Sequence, residues 1–356
     1  MSQWPMLKIK RDKISFNADR IIQKCRENKI TVAGVTKGLS GHPEFAEILL
    51  NAGCRWLADS RMDNIFHLRK LFPGIPMMLI RIPMKSEISS LVEYADSSLV
   101  SMKEILPLID QECIYRKKTH EIMMMVDLGD LREGLMEEEI SAFTRTLKKC
   151  SYVKCTGIAV NFGCFGGVIP TCDKLVQLKN WGEQLSSELG YEISWYSGGG
   201  TSTLIRTEDG SLPQGVNHLR IGEAFLLGTD CTGQRNLPYL SQDTMTLECE
   251  IIEIRTKPSL PFGTIGADAF GNIPFFSDRG IRQRAIVAVG KQDLRIEGIE
   301  PIQKGIEVLG ASSDHLILDV QDSEEPISFG DKLEFRLNYG SMLSLSTSAY
   351  VNVKFI

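Results

Sequence analysis

The sequence of 356 residues lacks any apolar stretch long enough to cross a membrane or to serve as a signal peptide. It also lacks a run of basic residues and any stripe of alternating aromatic and basic side chains, and its formal net charge is −5. A nucleic-acid surface concentrates positive charge, so this composition argues against such a partner. We expect a cytoplasmic protein whose partner is a small molecule, with neither a membrane nor a nucleic acid involved.

Metal-binding patterns are missing as well. The nine cysteines form no C-x-x-C pair, and the five histidines are scattered as His42, His67, His120, His218 and His315. This spacing argues against a structural zinc site, and no metal site is predicted. We expect the cysteines to be reduced thiols, most of them in the core.

Eight short apolar runs alternate with longer amphipathic stretches between about residues 31 and 228. The runs are VAGVT (32–36), RWLAD (55–59), MMLIRI (77–82), SSLVS (97–101), EIMMMVD (121–127), CTGIAV (155–160), ISWYSG (193–198) and HLRIG (218–222). Continuous hydrophobicity is typical of parallel strands that are covered on both faces. Two of the intervening helix patterns stop at Gly53 and Gly190.

Both a TIM (β/α)8 barrel and a doubly wound open sheet fit eight such units. Unusual polar residues follow the ends of many different strands, and a barrel gathers all those ends onto one face, which favours the barrel. After about residue 240 the pattern changes to short strands separated by proline and glycine. We therefore predict an α/β chain, with a barrel domain in residues 1–240 and an all-β C-terminal domain in residues 241–356.

Lys37 ends the first apolar run and is followed by glycine. A lysine at the C-terminal end of a barrel strand points into the mouth, where partial desolvation can lower its pKa and prepare its amine to attack an aldehyde. The alternative is a surface lysine that lies just past a strand.

A glycine- and hydroxyl-rich segment follows the seventh run. Its residues 197–203 read SGGGTST, and backbone amides that no side chain covers can turn towards an anion. The loops after strands 7 and 8 of TIM barrels commonly bind phosphate, and RIGEA at 220–224 supplies the second loop. We predict a two-loop phosphate cup rather than a flexible turn, built from Ser197, Gly199, Gly200, Thr201, Ser202, Gly222 and Glu223.

Two arginines lie at the predicted mouth. Arg132 lies in the segment DLGDLREG (127–134) after the fifth run, and Arg220 ends the eighth. Each guanidinium could hold a phenolate or a carboxylate of a ligand, or could form an ion pair with a nearby acidic residue.

Taken together, these segments resemble the alanine racemase superfamily, the fold-type III pyridoxal-phosphate enzymes, and most of all its alanine/ornithine racemase branch. The resemblance implies a racemase that uses pyridoxal 5'-phosphate, with Lys37 in VTKG as the Schiff-base lysine. It also implies that Arg132 contacts the phenolic oxygen of the cofactor and that Arg220 faces its pyridine nitrogen, with Gly222 at its phosphate. Asn161 stands where alanine racemases usually carry a histidine near the ring, and Tyr350 aligns loosely with a tyrosine that contacts the phosphate.

The sequence departs from this family at two tyrosines. Gly41 stands where the family has a tyrosine that binds phosphate, and IGADA (265–269) replaces the motif that carries the second catalytic base. The second base must then come from another group of the β-domain. Because histidine alone titrates near neutral pH without perturbation, His315 is the first candidate. Asp268 is its rival, Tyr339 is another candidate, and Asp314 could instead pair with the side-chain amine of an ornithine-like substrate.

The resemblance implies a homodimer in which each β-domain completes the barrel mouth of its partner. The predicted reaction interconverts L- and D-amino acids, with ornithine or a similar amino acid as substrate. Two alternatives remain. Single-domain relatives bind the cofactor without turning over amino acids, although they lack the β-domain, and a lyase or decarboxylase could be built on the same scaffold.

Overall fold

A computed structural model describes residues 3–356, which form two compact units. One unit contains Asp12–Gln242, and the other contains residues 3–11 together with Asp243–Ile356. The short N-terminal strand of the chain therefore belongs to the same unit as the C-terminal residues.

The first unit is a closed barrel of eight parallel strands. The strands run β2 (Thr31–Val35), β3 (Trp56–Asp59), β4 (Met77–Leu79), β5 (Ser97–Val100), β6 (His120–Val126), β7 (Val153–Val160), β8 (Trp195–Ser197) and β9 (His218–Ile221). Each corresponds to one of the eight apolar runs, and β9 pairs with β2 to close the barrel. The predicted TIM barrel is confirmed.

Helices flank the barrel strands, because one helix precedes the first strand, one lies between each two successive strands, and one follows the last strand. They are α1 (Arg11–Glu27), α2 (Pro43–Ala52), α3 (Met62–Leu71), α4 (Ile88–Tyr94), α5 (Leu106–Arg116), α6 (Glu137–Leu147), α7 (Cys172–Leu189), α8 (Leu204–Glu208) and α9 (Glu223–Leu227). The helices α2 and α7 end at Gly53 and Gly190, whose φ angles of +107° and +79° favour glycine. A two-stranded ribbon of β10 (Thr229–Asp230) and β11 (Arg235–Asn236) follows the last barrel helix.

The barrel interior is filled by alternate residues of its strands, because successive side chains of a strand point to opposite faces. The buried cluster consists of Ala33, Val35, Ala58, Met78, Leu99, Met123, Met125 and Ala159, with Trp56 and Trp195 packed against it. Arg220 pairs with Ala33 in the ladder between β9 and β2, so its side chain also points inward.

The second unit is an eight-stranded, mainly antiparallel sheet, as predicted for the C-terminal region. Its strands are β1 (Met6–Ile9), β12 (Met245–Pro258), β13 (Ile281–Val287), β14 (Ile299–Pro301), β15 (Glu307–Ala311), β16 (Leu316–Asp319), β17 (Lys332–Leu337) and β18 (Asn352–Phe355). Strand β1 lies between β12 and β18, antiparallel to the first and parallel to the second.

One helix, α10 (Tyr339–Thr347), lies in this otherwise β-rich unit, where the sequence predicts only strands. Asn338 caps it, because its side chain accepts a hydrogen bond from the amide of Ser341 at 2.9 Å. Met342 and Leu345 form its buried face. These two apolar residues are three apart, which is a helical spacing.

All nine cysteines are free thiols, and five of them are buried. No helix within residues 3–356 is long and apolar enough to span a membrane.

Candidate active site

Lys37 lies two residues after the end of β2 and begins a single 3-10 turn, Lys37–Leu39, at the C-terminal end of the barrel. It is half-buried, and within the described part of the chain its Nζ forms no hydrogen bond or ion pair. Its amine is therefore available to a ligand in the mouth.

A buried polar network fixes the backbone just before Lys37. The hydroxyl of Thr36 donates to Oδ2 of Asp59 at 2.7 Å, and Asn64 donates to Oδ1 of the same carboxylate at 3.0 Å. Burial raises the pKa of Asp59, against the effect of these hydrogen bonds. Our sequence reasoning missed this pair, although an acidic residue that ends an apolar run is a detectable signal.

Gly41 explains the absence of the tyrosine found in the alanine racemase superfamily. Its φ is +68°, and a Cβ at this position would lie 2.8 Å from Cβ of Asn64. Any side chain here would be strained and would collide with α3, so this position cannot provide a phosphate ligand.

Asp130 joins the loops that follow β6 and β7. Its Oδ1 accepts hydrogen bonds from the amides of Gly163 and Gly166 at 2.9 and 3.1 Å, and its Oδ2 accepts one from Phe165 at 3.1 Å. Asn161, directly after β7, has its amide nitrogen 3.5 Å from the same carboxylate. The predicted site residue Asn161 is thereby held beside the loop that carries Arg132.

Arg132 is exposed in the β6 loop, and its guanidinium donates to both carboxylate oxygens of Glu133. The ion pair that the sequence left open as an alternative is therefore present. Partial burial works to lower the pKa of Arg132, but the bonds to Glu133 raise it above its usual value.

Arg220 is 7% exposed and lies inside the barrel near its mouth. It donates to the hydroxyl of Ser197 at 2.5 Å and to the carbonyl of Val160 at 2.8 Å. Within residues 3–356 it forms no ion pair with a carboxylate, and burial lowers the pKa of Arg220 to about 10. The guanidinium remains charged at neutral pH, and its other N–H groups are free to meet a ligand.

The loop after β8 carries a row of amides that are suited to an anion. Across residues 3–356, the backbone N–H groups of Gly199, Gly200, Thr201 and Ser202 have no hydrogen-bond acceptor. Three of these four residues are buried, with Gly200 half-buried. Buried amides almost always have a partner, so this row indicates a place for an anionic group.

The loop after β9 lies against this row. The hydroxyl of Thr201 accepts a hydrogen bond from the amide of Ala224 at 3.3 Å. A Cβ on Gly222 would lie 3.1 Å from Cβ of Val35, so β9 ends close to the strand that leads to Lys37. The carboxylate of Glu223 accepts from Thr229 and Cys231, both at 2.8 Å, so it is engaged within its own loop.

The other predicted site residues, Asp268, Asp314, His315 and Tyr350, lie in the β-unit. The segment 291–293 contacts Asp268 and the segments next to the other three. Nζ of Lys291 lies 3.5 Å from Oδ2 of Asp268, and the amide of Lys291 donates to the carbonyl of Ser312 at 2.9 Å. Asp293 accepts from the hydroxyl of Ser348 at 2.6 Å, and that hydroxyl accepts from the amide of Tyr350 at 3.1 Å.

His315 and Asp314 form a pair in which Nδ1 lies 2.8 Å from the carboxylate. The hydrogen bond to His315 lowers the pKa of Asp314, so that carboxylate is ionised and can only accept. Nδ1 then carries a proton in this pair, so the acceptor of the neutral imidazole is Nε2.

Asp268 and Tyr350 are the two remaining predicted site residues of the β-unit. Hydrogen bonds from the backbone amides of Asn272 and Phe270 lower the pKa of Asp268, which makes its carboxylate a weak base. Tyr350 is 69% exposed.

Comparisons with known proteins agree with this architecture. Residues 9–230 match the family described as "Alanine racemase, N-terminal domain". The chain is 41% identical to the lysine racemase of Thermotoga maritima over 348 residues, which cover 98% of this chain and 97% of that protein. It is 38% identical to the ornithine racemase of Acetoanaerobium sticklandii over 349 residues, which cover 98% of each.

Solved alanine racemases share the fold at low sequence identity. The enzyme of Clostridium difficile 630 superposes with a TM-score of 0.75 and 18% identity, over 100% of this chain and 97% of that chain. The enzyme of Bartonella henselae, solved with covalently bound pyridoxal phosphate, has a TM-score of 0.74 and 16% identity, over 99% of each chain. The full-length match to curated relatives and the family match over most of the chain show that this protein belongs to the alanine racemase family of amino-acid racemases.

Proposed function

We propose that the protein uses pyridoxal 5'-phosphate to interconvert the L and D forms of ornithine or a similar basic amino acid. The observation that carries this proposal is the row of amides without an acceptor in residues 3–356, beside a buried arginine with no carboxylate partner there and the amine of Lys37. The two curated relatives, named lysine and ornithine racemases, support a diamino acid as the substrate.

The residues of the mouth fit this cofactor. The amides of Gly199, Gly200, Thr201 and Ser202 match a phosphate group, and Lys37 matches an aldehyde. Gly222 allows the β9 loop to lie close to Val35. Arg132 is the residue assigned to the phenolic oxygen, which it would bind together with the carboxylate of Glu133. The hydroxyl of Ser197 is already bonded to Arg220, so we assign Ser197 to the support of that arginine.

When bound, the cofactor draws electrons from the α-carbon of the substrate and so makes the α-proton acidic. Lys37 is the residue that would hold the cofactor covalently, and its amine, once free, would remove or return the α-proton on one face. Because a guanidinium does not give up its proton, Arg220 keeps a neighbouring pyridine nitrogen unprotonated, which favours racemisation over transamination.

A second base must act on the opposite face. We propose His315, because the ionised Asp314 accepts a hydrogen bond from its Nδ1 and the neutral imidazole can then accept a proton at Nε2. Asp268 is the weaker candidate, since two backbone amides donate to its Oδ1 and lower its pKa. Asp314 could also pair with the side-chain ammonium of a diamino acid.

We further propose that two copies of the chain share their active sites, with the β-unit of one copy supplying His315 to the barrel of the other. The candidates for the second base, His315, Asp268 and Asp314, all lie in the β-unit and not in the barrel that carries Lys37. Sedimentation of the active holoprotein as a monomer would refute the shared site.

The free state of all nine cysteines supports a reducing compartment, the cytoplasm.

The function is tested by incubating the purified holoprotein separately with L-ornithine, L-lysine and L-alanine. Chiral chromatography should show the D-enantiomer accumulating towards equal amounts with at least one diamino acid, and no conversion by Lys37→Ala. A product that has lost its carboxyl or amino group would identify a decarboxylase or lyase instead. Bound cofactor without turnover of any amino acid would identify a cofactor-binding protein.

A further inference from the structure

His218 is a fully buried histidine in the layer below Arg220. It begins β9, two residues before the arginine, so both side chains point into the barrel. Its Nδ1 lies 2.8 Å from the hydroxyl of Ser197, and its ring packs against Trp195 with 5.6 Å between ring centroids. Ser197 therefore lies between His218 and Arg220.

The direction of the protons in this chain follows from chemistry. A guanidinium only donates, so the Ser197 oxygen accepts from Arg220. The Ser197 hydroxyl has no other acceptor among the described residues, so its single proton is donated to Nδ1 of His218. That nitrogen carries the lone pair, and the proton of the neutral imidazole lies on Nε2.

His218 also stays neutral. Burial, followed by the charge of Arg220, lowers the pKa of His218 to about 3. Its Nε2 is buried and has no hydrogen-bond partner within residues 3–356. Arg220 is thus supported by a chain of neutral groups, which leaves its positive charge uncompensated.

Resting on the proposed function, we infer that His218 is a positioning residue for Arg220. It takes the proton of Ser197, so the lone pair of Ser197 is turned to Arg220, and the guanidinium is held in one orientation at the mouth. A carboxylate in its place would hold Arg220 equally well but would neutralise the charge that the pyridine nitrogen is proposed to meet.

The barrel contains a matched control. His120 is also buried and begins a barrel strand, and its Nε2 lies 3.0 Å from the hydroxyl of Ser98 on the neighbouring strand. No arginine bonds to Ser98 among the residues described. A histidine-to-leucine change at 120 therefore removes the same kind of bond without touching Arg220.

The test compares the holoprotein variants His218→Leu, His218→Asn and His120→Leu. In His218→Leu we expect the ratio of transamination to racemisation to rise about tenfold, the upper end of the effect of one lost hydrogen bond between neutral groups, with a shifted cofactor absorbance spectrum. Asparagine can place an acceptor near the Nδ1 position, so His218→Asn should recover most of the wild-type spectrum and ratio. His120→Leu should leave both unchanged. Equal effects of the two leucine variants, or none at 218, would overturn the inference.

A second measurement does not depend on the variants or on turnover. Nitrogen-15 spectra of the wild-type holoprotein should show His218 as the neutral tautomer with its proton on Nε2 across pH 5–9. A proton on Nδ1 would refute the proposed chain even if the protein racemises ornithine. Absence of racemisation with the predicted tautomer and spectra would instead reject the proposed function alone.

Discussion

Replacing Asp130 with alanine tests whether this carboxylate holds the loops after β6 and β7 together at the barrel mouth. The change removes the only side-chain acceptor of Gly163 and Phe165 within the described residues, whereas the amide of Gly166 also reaches the backbone carbonyl of residue 130 at 3.1 Å. A hydrogen bond to a buried charged group contributes about 1.5 kcal/mol, so loss of two such bonds should cost the loop about 3 kcal/mol. Asp130 is 2% exposed, so solvent screening does not reduce this figure much.

Amide hydrogen exchange measures this loss locally, which suits a chain of two compact units. We expect exchange at Gly163 and Phe165 to accelerate about 100-fold, since 1.4 kcal/mol corresponds to a factor of ten. Gly166 should change less. As a control, Asp127→Ala breaks bonds only to amides of its own loop and should leave Gly163 and Phe165 protected. Unchanged exchange in Asp130→Ala would show that the carboxylate does not join the loops.

Four further predictions follow from the site. Lys37→Ala protein should not retain cofactor after borohydride reduction, and covalent trapping at another lysine, seen by mass spectrometry, would contradict the assignment. Arg220→Glu should protonate the pyridine nitrogen and increase transamination, and an unchanged spectrum and product ratio would make Arg220 purely structural. In deuterated water, His315→Asn should exchange the α-proton of one enantiomer only, and equal loss from both, or from neither, would remove His315 from the mechanism. Burial lowers the pKa of His120 to about 4 and of His218 to about 3, so both gain a proton only on unfolding. Stability should therefore fall as pH drops below about 6.5, by roughly 2–3 kcal/mol per histidine at about pH 4.5, and unfolding titrations without this slope would contradict it.

The barrel could be predicted from the sequence because its signals are local. Each parallel strand is buried on both faces and so appears as an unbroken apolar run, and Gly53 and Gly190 mark helix ends by the positive φ that they adopt. The position of Lys37 at the end of the first run follows in the same way, since a barrel gathers strand ends at one face. The short helix α10 was not predicted, because its apolar spacing covers little more than two turns and is flanked by strands.

The partners of the polar groups were decided by the tertiary structure alone. Ser197 lies in a segment that resembles an anion loop, yet its hydroxyl bonds to Arg220 and His218 on the next strand. Asp130 accepts a hydrogen bond from a loop more than thirty residues away in the sequence. The hydroxyl of Thr36 donates to Asp59, which ends the neighbouring strand. Periodicity along one element reports which face is buried, because burial repeats with the geometry of that element. A hydrogen bond depends instead on which strands become neighbours and on the side to which each residue points, and both are set only when the barrel closes.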